Sequence, residues 1–185
     1  MLFERGRIES DQQANGVVRG VSEVVMRSFA AREVKAGRLL RFDVEALHCA
    51  IDVAYVAEVL RAVALEPLPG APAFVAGLIN LRGVLLPVLD LRVRFGYAAR
   101  RDEPSDRFVI IQVRERTVVL WVDAAVDLLT LDARAVAPSV GLTAGVRSLA
   151  GVAQTEDGIL YMHDPAAFMN ESEADALDRV TVVTS

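Results

Sequence analysis

At 185 residues, with 53% apolar and 24% charged side chains, the chain is long enough to bury roughly 70% of its unfolded surface in one or two small cores. A formal charge of −5 and the lack of a basic stripe argue against a nucleic-acid partner, whose binder carries an excess of Lys and Arg. Apolar runs stop short of the ~18 residues of a membrane helix, and the first residues, MLFERGRIESDQ, are charged where a signal peptide has its apolar core. A cytoplasmic location without membrane insertion is expected.

In residues 1–38, Val17, Val18, Val21, Val25 and Phe29 fall near helical spacing, which predicts a short amphipathic helix in an N-terminal extension. Gly16 and Gly20 weaken it, each costing up to about 1 kcal/mol against alanine inside a helix. From Leu39 onward, short runs rich in Val, Ile and Leu alternate with Gly, Pro and charged clusters, the pattern of a β-barrel or sandwich. Strands are predicted over 39–44, 48–53, 56–62, 77–82, 84–90, 108–113, 117–123, 125–131, 149–155 and 159–163. These are too many for one small closed barrel, so two barrels of about five strands fit better. Between them FGYAARRDEPSDR, residues 95–107, is polar, is broken by Pro104, and is the best linker candidate. Near the end, Asp164 at an N-cap position and Pro165 at the first helical position predict a terminal helix, followed by an acidic helix end and tail over 171–185.

Candidate chemistry is sparse. His48 and His163 have no Cys or carboxylate at a metal-ligand spacing. The chain has no G-x-S-x-G, no G-x-G-x-x-G after a strand and no phosphate loop. No catalytic residue, metal or cofactor is expected. The single cysteine, Cys49, excludes an intramolecular disulfide and reads as a buried apolar filler. Asp123 and Asp127 read as solvated strand-end carboxylates.

One stretch stands apart: GLINLRGVLLPVLDLR, residues 77–92, is nearly continuous apolar sequence interrupted by Arg82-Gly83. Gly83 accepts positive φ, so strands 77–82 and 84–90 are expected to form a hairpin that displays Arg82 at its tip. Pro87 cannot donate to a ladder and is expected on an edge or at a bulge. Leu78, Leu85, Val88 and Leu89 read as core.

The order of features LPGAPAFVAGLINLRGVLLPVLDLR, with VAEVLR (56–61), LWVDAAVDLLTL (120–131) and LAGVAQTEDGILYMHD (149–164), resembles the CheW family of coupling proteins in bacterial chemosensory arrays. The resemblance covers about residues 39–170. It implies an all-β domain of two five-stranded SH3-like barrels packed together, with a closing C-terminal helix. It also implies a non-enzymatic adaptor that couples the cytoplasmic tip of chemoreceptors to the regulatory domain of a CheA-type histidine kinase, with which it can close rings. Carried over by position, Val56, Gly77 and Arg82 would line the receptor-facing groove, Glu58 would orient Arg82, and Asn80 and Gly83 would hold the hairpin's shape. The apolar barrel ends would meet the kinase. The chain departs from the family pattern at the first hairpin, Val44-Glu45-Ala46-Leu47, and at Tyr161-Met162-His163.

A second reading keeps the barrels but makes the chain a stand-alone protein that binds a small ligand, or a regulatory interaction module outside chemotaxis. Fold alone does not choose between them. A closed pocket with converging polar groups favours the second, and an exposed apolar groove the first.

Overall fold

The computed structural model describes residues 37–138 and 148–183. The helical pattern expected in the N-terminal extension lies outside them, as do the last two residues of the tail. Eleven strands among the described residues form two mixed sheets. One sheet holds β1 (Gly37–Val44), β2 (Leu47–Asp52), β8 (Ala124–Leu131), β9 (Val136–Pro138), β10 (Leu149–Thr155) and β11 (Gly158–His163) in the order β8-β1-β2-β11-β10-β9. The other holds β3 (Val56–Arg61), β4 (Val75–Leu81), β5 (Val84–Asp90), β6 (Arg107–Val113) and β7 (Arg116–Val122) in the order β3-β6-β7-β5-β4. Pairing is antiparallel except for β2–β11 and β5–β7. Two helices complete the described chain: a single turn α1 (Leu91–Arg94) and α2 (Glu171–Val183).

The fold is thus mostly β, as expected, with β9 an additional short strand. No ladder joins the two edges of either sheet among the described residues. The five-stranded sheet instead curls until the chain that follows β3 meets the edge strand β4 through a two-way bridge: Glu66 N–H donates to the Leu78 carbonyl at 2.9 Å, and Leu78 N–H donates to the Glu66 carbonyl at 2.8 Å. That bridge also explains Pro87, which lies on a central strand and not on an edge. Leu78, opposite Pro87, points its backbone polar groups outward to Glu66, so the missing donor of Pro87 faces β7, where the ladder begins only at Val88.

The core has three layers. Leu40, Phe42, Val44, Cys49 and Ile51 from one sheet meet Val109, Ile111, Val118, Leu120 and Val122 from the other. Ile79, Leu86, Val88, Phe108, Ile110 and Val119 fill the inside of the five-stranded sheet, and Leu39, Ala50, Leu160 and Met162 that of its neighbour. Because β6 has a core on each face, its run Phe108-Val109-Ile110-Ile111 is buried throughout, unlike a strand with one wet face. Cys49 is buried, and burial pushes its thiol well above the usual range. Leu85, expected in the core, is exposed. It pairs with Asn80 on the outer face near the hairpin tip, while its neighbour Leu86 takes the inner position.

Three further expectations are corrected by one feature, a network of Arg–carboxylate contacts between the sheets, and by the helix caps. Residues 95–106 join α1 to β6 within one sheet and are no linker between the two. Their polar composition serves an internal contact. The Asp106 side chain is 0% exposed; it accepts from Arg100 at 2.6 and 3.1 Å, from the Trp121 indole at 2.9 Å and from Glu103 N–H at 2.9 Å. Asp123, expected to be solvated, accepts from Arg92, from Arg100 at 3.1 Å and from Glu45 N–H at 2.6 Å, joining the β1–β2 turn to the other sheet. Asp164 caps only a short 3-10 turn, Pro165–Ala167, through Ala166 N–H at 3.0 Å. The helix α2 starts later, where Asn170 and Glu173 cap each other's N–H groups at 2.8 Å, a reciprocal capping box.

Candidate functional site

The β4–β5 hairpin has a two-residue turn, Arg82-Gly83, between the paired Leu81 and Val84. Both turn residues have positive φ, 54° and 89°, which matches the right-handed twist of the flanking strands. Glycine takes this conformation freely, but for arginine it costs on the order of 1 kcal/mol. Asn80 contributes locally, its side-chain oxygen accepting from Gly83 N–H at 2.8 Å. The expected positions of Asn80, Arg82 and Gly83 in one turn are therefore what the backbone forms.

Glu58 reaches this turn from the opposite edge of the sheet. Curling brings β3 against the hairpin, so Arg82 Nη2 donates to Glu58 Oε1 at 3.3 Å. The arginine side chain is 78% exposed and the glutamate 33%, leaving most of the guanidinium's donors free to meet another molecule. Next to the turn, Val84 and Leu85 at the start of β5 are exposed. A directional cation flanked by apolar side chains is the composition of a protein-binding patch.

Val56 and Gly77 behave differently. Val56 lies at the same end of β3, paired with Ile111 and packed against the core between the sheets. Gly77 is held within the sheet opposite Val88 at a bulge, with φ 154°. A Cβ there would lie 2.5 Å from the Glu66 carbonyl oxygen, so only glycine permits the bridge between β4 and the chain that follows β3. Neither residue touches the Arg82–Glu58 pair in the contacts observed. Sequence reading gave no role to Glu66 or to the charged turns that resemble Arg82. Among the described residues the non-glycine positive-φ positions are Glu45, Arg82 and Arg114, each the first residue of a hairpin turn. Two apolar alternating runs separated by a short charged gap were the available signal.

The two histidines differ in setting. His48 donates through Nδ1 to the Asp43 carboxylate at 2.8 Å and is half-buried. His163 is buried, pairs through Nδ1 with Ser148 Oγ at 2.9 Å, and stacks on Phe95 with centroids 5.1 Å apart. Burial lowers its pKa to about 4, so it is neutral at physiological pH. Among the described residues, no group of three or more His, Cys, Asp or Glu side chains is placed to hold a metal ion, and no helix is long and apolar enough to cross a membrane.

The curled sheet, its signature hairpin and the paired second sheet are those of a known domain, and the family model of the CheW-like domain matches residues 38–173. The chain belongs to the CheW-like family. It is 39% identical over 117 residues to the chemotaxis protein CheW of Rhizobium meliloti, covering 62% of this chain and 74% of that protein. It is 30% identical over 155 residues to the probable chemotaxis protein CheW of Rhizobium etli, covering 80% and 99%. In structure it is similar to the scaffolding protein TtCheW from Thermoanaerobacter tengcongensis, with a TM-score of 0.69 and 26% identity over 75% of this chain and 95% of that one. The CheW-like family consists of chemotaxis scaffold proteins, and in this member the hairpin carrying its signature is also the place where a strained arginine is most exposed.

Proposed function

We propose that the chain is a cytoplasmic, non-enzymatic adaptor that couples chemoreceptor tips to the regulatory domain of a CheA-type histidine kinase, with the Arg82–Glu58 pair as its receptor contact. The observation that carries this reading is the exposed guanidinium of Arg82, held by one carboxylate at 3.3 Å in a turn conformation that arginine adopts at a cost. Kinase contact falls to the apolar barrel ends, and rings closed with the kinase follow from two such contacts. Val56 and Gly77 support the surface: the first by its position at the receptor-facing end of β3, the second by permitting the bridge that curls the sheet.

Co-sedimentation with a CheA-type kinase and receptor fragments from the same organism tests the reading. The chain is expected to pellet with both partners and to raise the amount of kinase that pellets with receptor. A chain that remains in the supernatant with both would favour the stand-alone reading. Calorimetry with ATP is expected to give no binding heat, and stoichiometric binding would contradict the non-enzymatic assignment.

A further inference from the structure

The two sheets meet across an apolar layer, and apolar burial is non-directional: it opposes separation but does not by itself choose an angle. Among the described residues the strands pass from one sheet to the other at two places. One is the 3-10 turn Val53–Tyr55 between β2 and β3, and the other is Asp123, the single residue between β7 and β8. A rotation of one sheet on the other turns about these points.

At the second crossing the side chain is caught from both sheets. Arg92 of α1 and Arg100 of the segment before β6 donate to the Asp123 carboxylate, and so does Glu45 N–H in the β1–β2 turn, at 2.6 Å. Asp123 N–H in turn donates to the Asp43 carbonyl at 2.9 Å. Arg92 also meets the Glu45 carboxylate. One guanidinium from the five-stranded sheet therefore joins a hairpin turn of its neighbour to the residue at which the chain crosses.

Local stability does not account for these residues. Glu45 has a φ of 54°, a left-handed conformation that Gly takes without strain. The Arg92 side chain is 11% exposed, and its buried Nε–H has no hydrogen-bond partner among the described residues, so its desolvation is only partly offset. What the cluster adds is direction, because a charge-assisted fork is satisfied at one relative placement of the sheets and lost at neighbouring ones.

We propose that Glu45, Arg92 and Asp123 form a clamp that fixes the angle between the two sheets, with Arg92 as its positioning residue. The inference does not depend on the receptor reading of Arg82. Its consequence is that any partner surface built from both sheets is held in one arrangement before contact, which lowers the ordering cost of binding.

Pulsed electron-spin distance measurements on the full chain test this, with labels on Leu128→Cys in β8 and Val84→Cys in β5, and in a second pair on Ile159→Cys in β11 and Val84→Cys. The three native side chains are exposed and Cys49 is buried, which confines labelling to the introduced thiols. The parent is expected to give a narrow distribution in both pairs. Glu45→Gly removes the carboxylate while relieving the strained φ, so it tests the clamp in a folded chain. It and Arg92→Gln are each expected to widen at least one distribution to about twice the parent width. Asp157→Ala, which breaks the Arg41–Asp157 contact inside the six-stranded sheet, should leave both as in the parent. Parent-like distributions in Glu45→Gly and Arg92→Gln, whether or not their melting temperatures fall, would make the cluster a structural pin and overturn the proposal. Widening confined to one of the two, or equal widening by Asp157→Ala, would overturn it as well.

Discussion

Arg100 and Arg82 each meet a carboxylate, but in opposite settings. Arg100 forks onto a fully buried Asp106 that is also held by Trp121 and a backbone N–H, whereas Arg82 touches Glu58 once, at 3.3 Å, and is mostly solvated. The hydrogen bond to Asp106 also raises the Arg100 pKa above its ordinary value. The first pair has no bonding capacity left for a partner, and its loss strands buried polar groups. The second has capacity to spare and little to lose in water. One residue type thus serves as a pin in one place and as a probe in the other, and the number of contacts each makes separates the two.

Breaking the pin is expected to have the largest effect. Asp106→Ala leaves the buried Trp121 N–H and the Glu103 N–H without their acceptor and strips Arg100 of its two-pronged partner, leaving it Asp123, and should cost about 3–5 kcal/mol, read as a fall in the urea midpoint. If it costs no more than Arg82→Asn, the contrast between the two arginines is false.

Acid gives the next largest effect and isolates a buried group that is neutral, outside the ion network. With a folded pKa of about 4 against about 6.5 unfolded, His163 takes up a proton in the unfolded chain first. Stability therefore falls as pH drops from about 6.5 toward 4, by about 3 kcal/mol in total, and levels off for this group below 4. Chemical denaturation of the parent and His163→Gln at pH 7 and pH 4.5 checks this: the variant should lose less stability between the two pH values. An equal loss in both would place the acid sensitivity in the carboxylate network.

A smaller effect is expected at the hairpin. Asn80→Ala removes the bond that the Asn80 side chain accepts from Gly83 N–H at 2.8 Å and should cost about 0.5–1.5 kcal/mol of stability, while loosening the turn that presents Arg82. Amide exchange at Gly83 should quicken. If exchange there is unchanged, the turn is held by the strand pairing alone.

The hairpin was legible because Arg-Gly between apolar runs specifies a turn by local rules, and Gly83 fixed its tip. The sorting of strands into sheets was not. The first two strands pair with the last ones across the chain, and local periodicity says nothing about which distant strand is a partner. The 95–107 segment misled for a related reason: Arg100, Asp102, Glu103 and Asp106 have the composition of a solvated linker, and only the fold shows that one of these carboxylates is buried against Arg100 and Trp121. Glu58 was reached through family resemblance alone, since its contact with Arg82 depends on a curl closed by Glu66 and Leu78. The bare glycine at position 77 gave no hint that its missing Cβ makes room for that closure.

The central claim is that Arg82 and Glu58 act together on a partner and scarcely on the fold. A double-mutant cycle of Glu58→Gln and Arg82→Asn, scored on receptor-fragment affinity and on unfolding free energy in parallel, tests it most directly. The account predicts that each single change weakens receptor binding by about 1–3 kcal/mol, that the double variant loses less than the sum, and that coupling in stability stays below about 1 kcal/mol. Coupling in stability with none in receptor binding would contradict it and return Arg82 to the class of pins.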